Sequence, residues 1–163
     1  MGDLNVAGGM EPVYRNLPKA MAPQLKQVFA KLLRDEGPLV YNCSAGQDRT
    51  GFVTAMILTA LGTPRDVILA DYHLSTRYRH PENEMPKLDP SLTASNPVAA
   101  LFAGYQSDPQ PNPLFTADDK PFLSFAFAEI EAKWGSVDAY LKAEVDITPA
   151  AIAKLRVRYT NLD

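Results

Sequence analysis

Cys43 and Arg49 are separated by five residues in the stretch Cys43-Ser44-Ala45-Gly46-Gln47-Asp48-Arg49-Thr50-Gly51, and most positions in it have a chemical task open to them. A loop that wraps this tightly needs unusual backbone dihedrals, which Gly46 tolerates. Wrapped, it aims the backbone N–H groups of Ser44, Ala45, Gly46, Gln47, Asp48 and Arg49 inward, a nest for a tetrahedral oxyanion. A helix starting near Thr50 adds the positive end of its dipole. Arg49 offers a planar fork for two phosphate oxygens, and its fixed charge favours the Cys43 thiolate over the thiol. Electropositive, helix-terminal settings bring cysteine pKa values down to roughly 3.5–7.5, making Cys43 a nucleophile at neutral pH. An inert core cysteine, the alternative, has no need of Gly46, Arg49 and Thr50 at these offsets.

The elements that must position this loop are legible on either side of it. Met21, Leu25, Val28, Phe29, Leu32 and Leu33 recur at the spacing of one helical face, after a loose, glycine-containing opening. Gly37-Pro38 stops that helix, and Leu39-Val40-Tyr41 is a β-prone run suited to a buried strand leading into the loop. Phe52, Val53, Met56, Ile57, Ala60 and Leu61 resume helical spacing behind it. Gly62 closes this helix, and Thr63-Pro64 with Asp66 caps another that runs to about Tyr78. Thr116 as cap, with Asp118 and Asp119 in the first turn, begins a helix ending at Trp134-Gly135. A short helix over Val137 to Lys142 follows, and Thr148-Pro149 starts a last one carrying Ile152, Leu155 and Tyr159. Seven of the fourteen prolines lie between His80 and Phe115. This stretch, 80–115, is read as a lid or surface loop, with room for a short helix near Val98 to Phe102. One strand among several helices is a thin sheet for an α/β domain, so further strands are expected from elsewhere.

The residues around Cys43 resemble the C-x5-R phosphatases, and within them the atypical bacterial tyrosine phosphatases whose loop reads H-C-x-A-G-K-D-R-T-G. Cys43, Ala45, Gly46, Asp48, Arg49, Thr50 and Gly51 fit, while Asn42 replaces the family's His and Gln47 its Lys. The resemblance runs from about residue 10 to the end, through Ala22-Pro23-Gln24-Leu25, Asp71-Tyr72-His73-Leu74-Ser75, Trp134-Gly135-Ser136-Val137-Asp138-Ala139-Tyr140-Leu141 and Leu155-Arg156. It implies a tyrosine-phosphatase-like α/β fold. Residues 1–163 would then form one phosphatase domain corresponding to the family's C-terminal half, without its Asn-Phe-Arg-Asp-Leu-Gly-Gly-like segment and several of its strands. A fragment, or a sheet completed by a separate N-terminal chain, is the expectation.

On this reading Cys43 attacks phosphorus, Arg49 and the loop N–H groups bind the equatorial oxygens, and Thr50 donates to the departing thiolate. No metal and no cofactor is implied. The resemblance places the general acid at Asp48. The competing reading has Asp48 accept loop N–H bonds or pair with Arg49, with the acid then at Asp71, at Asp89 or outside this chain. Substrates would be phosphorylated proteins or phospholipid headgroups, with aryl phosphates preferred, since Gln47 lacks the lysine charge that could meet further inositol phosphates. Two other functions compete: a non-catalytic phosphate-binding module, and a rhodanese-like sulfur carrier, against which Asp48-Arg49-Thr50-Gly51 argues.

The remaining chemistry-bearing residues read as structural. His73 is expected to be a satisfied or surface histidine on a helix, and His80 to share a solvated basic edge with Arg77 and Arg79. Phe122, Phe125, Phe127 and Trp134 are expected in the core, while Met85 and Leu88 would cover a cleft or core edge. A net charge of −3 gives no global basic field for nucleic acid. No run approaches the roughly 18 apolar residues of a membrane span. The opening Met1-Gly2-Asp3-Leu4-Asn5-Val6 has neither a signal-peptide pattern nor the hydroxyl of a myristoylation site. With a single cysteine, a reduced cytoplasmic setting is expected, unless a secretion signal lies in a missing N-terminal segment.

Overall fold

The computed structural model describes residues 9–80 and 113–160, together with Ser91, Asn96, Ala100 and Ala103. The helix expected near Val98 to Phe102, Met85, Leu88, Asp89 and nearly all of the 80–115 segment lie outside the described residues.

Seven helices lie within the two long described stretches: α1 (Glu11–Ala20), α2 (Ala22–Arg34), α3 (Asp48–Leu61), α4 (Arg65–Tyr78), α5 (Phe122–Trp134), α6 (Val137–Val145) and α7 (Pro149–Tyr159). The central element is α3, which packs on α1, α4, α5, α6 and α7. Its sequence is apolar nearly all round, as a helix surrounded by others must be. Phe52, Met56 and Ala60 are fully buried. The far end of α3 stops at Gly62, whose φ is 94°, and Arg156 from α7 donates to the Ala60 carbonyl at 2.8 Å. Arg158 likewise donates to the Leu32 and Leu33 carbonyls at the end of α2, at 2.8 and 3.0 Å. The last carbonyls of both helices thus find donors on α7. Ser136 and Thr148 cap α6 and α7 by accepting from the N–H groups of Ala139 and Ala151.

Three expectations are corrected. The opening is helical: α1 begins with Pro12 in its first turn and contains Pro18, and it lies along α5. The internal Pro18 masked its period, yet Tyr14, Leu17 and Pro18 are buried, and the Pro18 carbonyl accepts from the buried Tyr140 hydroxyl at 2.6 Å. Thr116 does not cap α5. It closes a turn through Thr116 N–H to Lys120 O at 2.9 Å and Lys120 N–H to Thr116 Oγ1 at 3.0 Å. The helix begins only after Pro121, because a proline disfavours helical geometry in the residue before it.

The third correction concerns the sheet. Among the described residues there is no strand, and the one isolated bridge joins Phe115 to Pro121. Leu39-Val40-Tyr41 leads into the loop without regular structure, and Val40 is 88% exposed. A β-prone run becomes a strand only when a neighbour supplies ladder partners, and none of the described residues does so. Phe125 and Phe127 are in the core as expected; Phe122 and Trp134 pack against its margin.

Candidate active site

The loop from Cys43 to Gln47 enters α3 directly, and Asp48 and Arg49 form that helix's first turn, two residues earlier than the sequence suggests. An acidic residue in the first turn complements the helix dipole, which accounts for the earlier start. Gly46 has a φ of 69°, the left-handed conformation anticipated for the turn. The Cys43 N–H donates to Thr50 Oγ1 at 3.0 Å, pinning the start of the loop to the first turn of α3.

Cys43 is partly buried. Burial pushes its thiol up, but hydrogen bonds from the Thr50 side chain and from the backbone N–H groups of Thr50, Gly46 and Ala45 outweigh this and leave the pKa below the ordinary value. The sequence points to Arg49 and the helix terminus for this effect; the donors around the sulfur act in the same direction, and the exposed Arg49 guanidinium donates through Nη2 to Ser44 Oγ at 3.1 Å across the loop mouth.

Asp48 is held from outside the loop. The Tyr14 hydroxyl, from α1, donates to Asp48 Oδ1, and it is also hydrogen-bonded to the Tyr72 hydroxyl, from α4. Both tyrosines are buried, at 0% and 4% exposure. Burial foremost, then the negative neighbours, drives the Tyr14 pKa far above the ordinary phenol value. Tyr72 is likewise raised, mainly by burial. Both are therefore neutral hydrogen-bond donors at any physiological pH. Gly51 has a role the sequence concealed: a Cβ there would sit 2.7 Å from Tyr72 Cδ2, so the glycine makes room for that ring.

Gln47 is 3% exposed, and its Oε1 accepts from Arg79 Nη1 at 2.8 Å. Arg79, expected on a solvated edge, thus brings a guanidinium to the loop at the position where the sequence appeared to lack charge. Arg77 is exposed, with its guanidinium 5.6 Å from the Tyr78 ring centroid. Asp71 is exposed and borders a cavity of about 110 Å³ behind the loop, together with Gln47, Thr50, Thr54 and Ser75. Neither ring nitrogen of the half-buried His73 has a hydrogen-bond partner. The ring instead stacks on Phe115 with centroids 3.8 Å apart, and burial lowers its pKa. His73 is thus neither satisfied nor on the surface. Among the described residues no three His, Cys, Asp or Glu side chains are grouped so as to hold a metal ion.

Of the residues that the motif singled out, Cys43, Ser44, Arg49 and Thr50 come together, with the Ala45 and Gly46 N–H groups on the sulfur. Tyr14 was missed because its helix was, and Tyr72 was noticed only as part of a resembling segment. No local pattern ties either residue to Asp48, which lies 34 positions from Tyr14.

Comparison with known proteins agrees with this geometry. The sequence profile of the family described as "Tyrosine phosphatase family" matches residues 2–161. A Cupriavidus necator protein provisionally named as a tyrosine-protein phosphatase is 31% identical over 158 residues, covering 92% of this chain and 49% of its own length. The "Triple specificity protein phosphatase PtpB" of Mycobacterium tuberculosis is 32% identical over 155 residues, 90% of this chain and 53% of its own. A tyrosine-protein phosphatase of Nostoc commune is 26% identical over 137 residues, 83% of this chain and 44% of its own. The chain therefore spans about half the length of the curated relatives it matches.

Proposed function

Because the chain belongs to the tyrosine phosphatase family, we propose that it is a phosphomonoester hydrolase working through a cysteinyl-phosphate intermediate. The observation that carries this reading is the tie between loop and helix: the Cys43 N–H donates to Thr50 Oγ1 at 3.0 Å, holding the cysteine against a hydroxyl in the first turn of α3, while Arg49 spans the loop to Ser44 Oγ at 3.1 Å. Donors and a helix N-terminus so placed stabilise negative charge on sulfur, and so favour both the attacking and the departing thiolate.

In the first step Cys43 Sγ forms a bond to phosphorus while the P–O ester bond breaks, and Asp48 gives its proton to the leaving oxygen. The loop N–H groups and Arg49 hold the equatorial oxygens. In the second step a water oxygen bonds to phosphorus, its proton passes to Asp48, the S–P bond breaks, and Thr50 donates to the thiolate. Phosphotyrosine-type esters are the preferred substrates. The guanidinium of Arg79 beside Gln47 supports acceptance of phosphoinositide headgroups as well, and Arg79→Ala should lower phosphoinositide hydrolysis more than aryl phosphate hydrolysis.

The whole enzyme includes strands that pair with Leu39–Tyr41, in a preceding segment or a separate chain. A groove of about 430 Å³ runs between α2 and this segment, bordered by Gln24, Val28, Val40, Cys43, Arg49 and Val53, and supports that completion.

The test is a phosphate-release assay on an aryl phosphate, with rapid quenching and mass spectrometry of the Cys43 peptide. A phosphorylated Cys43 peptide that disappears in Cys43→Ser, with vanadate binding retained, is expected. Vanadate binding without turnover in the wild-type chain would favour a phosphate-binding module instead.

A further inference from the structure

We propose that Tyr14 and Tyr72 are positioning residues for Asp48: the buried Tyr14 hydroxyl, itself held by the Tyr72 hydroxyl, occupies Oδ1 and leaves Oδ2 as the oxygen that carries and delivers the proton. This rests on the reading of Asp48 as the general acid.

The geometry needs three separate elements. Tyr14 comes from α1, Asp48 from the first turn of α3 and Tyr72 from α4. Phe122 of α5 packs on the Tyr14 ring at 5.7 Å between centroids, and Gly51 admits the Tyr72 ring. A carboxyl on a helix's first turn would otherwise sample several rotamers, and a proton donor must be within hydrogen-bond reach of the leaving oxygen to act. A fixed donor on one oxygen removes that freedom. Chemistry also decides the direction of the bond: phenols kept neutral by burial can only donate to an ionised carboxylate, so Oδ1 stays an acceptor. An oxygen that accepts from a phenol is not free to hold the proton, so the proton of the acid form resides on Oδ2.

Other charged or titratable groups surround this set. Cys43 lies in the loop and Arg49 beside Asp48 in the first turn of α3, Arg79 reaches Gln47 from beyond α4, Asp71 of α4 borders the cavity behind the loop, and the His73 ring lies 5.2 Å from that of Tyr72. Removing a tyrosine hydroxyl changes none of these groups, but Tyr14→Phe also takes from Tyr72 its partner, so Tyr72→Phe is the companion variant that separates the two bonds.

The experiment uses the full chain, with Asp48→Asn, Tyr14→Phe and Tyr72→Phe compared against wild type. The readouts are pH–rate profiles on aryl phosphates of graded leaving-group pKa and ¹³C-carboxyl titration of Asp48 with vanadate bound. Asp48→Asn should slow esters of poor leaving groups selectively, which establishes the acid. Tyr14→Phe should move the Asp48 carboxyl resonance and the basic limb of kcat/KM away from their wild-type values, because one carboxylate oxygen loses its charge-assisted donor. It should also slow poor-leaving-group esters about tenfold relative to p-nitrophenyl phosphate, with vanadate affinity retained. Tyr72→Phe, which keeps the direct bond from Tyr14, should shift both readouts in the same direction by less. If Asp48→Asn behaves as an acid variant while Tyr14→Phe leaves the basic limb and the leaving-group dependence at wild-type values, the positioning role is overturned and the acid assignment stands. If Asp48→Asn slows all esters equally, the acid assignment fails and the tyrosine role with it. The carboxyl titration decides even in a preparation with little turnover: an unmoved Asp48 in Tyr14→Phe overturns the proposal.

Discussion

At Cys43 the decisive contest is between burial, which disfavours a thiolate, and a ring of donors that favours it, and the donors prevail. Because Arg49 reaches across to Ser44, its proposed value lies in gripping substrate oxygens. Arg49→Lys should then leave the thiol titration, followed by its ultraviolet absorbance, nearly unchanged while lowering kcat/KM on an aryl phosphate by about a hundredfold or more. His73 yields a separate prediction. Its pKa is lowered in the folded chain, so between the folded value and the ordinary one of about 6.5 the unfolded state binds the extra proton. Stability from this group is therefore complete above about pH 6.5 and is lost as pH falls below it. Urea midpoints measured from pH 7.5 down to 5.5 should decline more steeply for wild type than for His73→Phe, and parallel curves would contradict this.

Between elements, the approach of α3 to α4 is set by a missing side chain. Tyr72 lies where a Cβ on residue 51 would be, and its ring is confined by burial and by the bond to Tyr14. Gly51→Ala should cost about 1–3 kcal/mol in urea unfolding, as overpacking a filled interior does. It should also disturb Asp48, because Tyr72 cannot move without Tyr14. A variant as stable as wild type would show that the two helices separate freely. The glycine of the motif is thus explained by helix packing as well as by the loop.

For the molecule as a whole, helices bury one another around α3 while the segment leading into the Cys43 loop is only partly covered, with Val40 exposed. If strands from outside the chain complete the fold, the amides of Leu39–Tyr41 should exchange with solvent within the dead time of a hydrogen-exchange experiment on this chain alone. They should become protected when a polypeptide carrying the proposed partner strands is supplied. Protection equal to that of α3 in the isolated chain would mean that the segment is already paired.

How far the sequence could be read follows from the range of each interaction. Cys43, Gly46, Arg49 and Thr50 act on one another over a few residues, so their types and spacing alone define the loop and its anion chemistry. Helices α2 to α7 were legible for the same reason, since apolar period, caps and stop signals are local. Helix α1 escaped because Pro18 argues locally against a helix that burial against α5 stabilises. Leu39-Val40-Tyr41 has strand propensity, but a ladder needs a partner that propensity cannot supply. Only the tertiary structure brings Tyr14 to the Asp48 carboxylate, Tyr72 to Tyr14 from 58 positions away, and Arg79 to Gln47. Such contacts form when packed helices bring distant side chains within hydrogen-bond reach, and they leave no periodic trace in the chain.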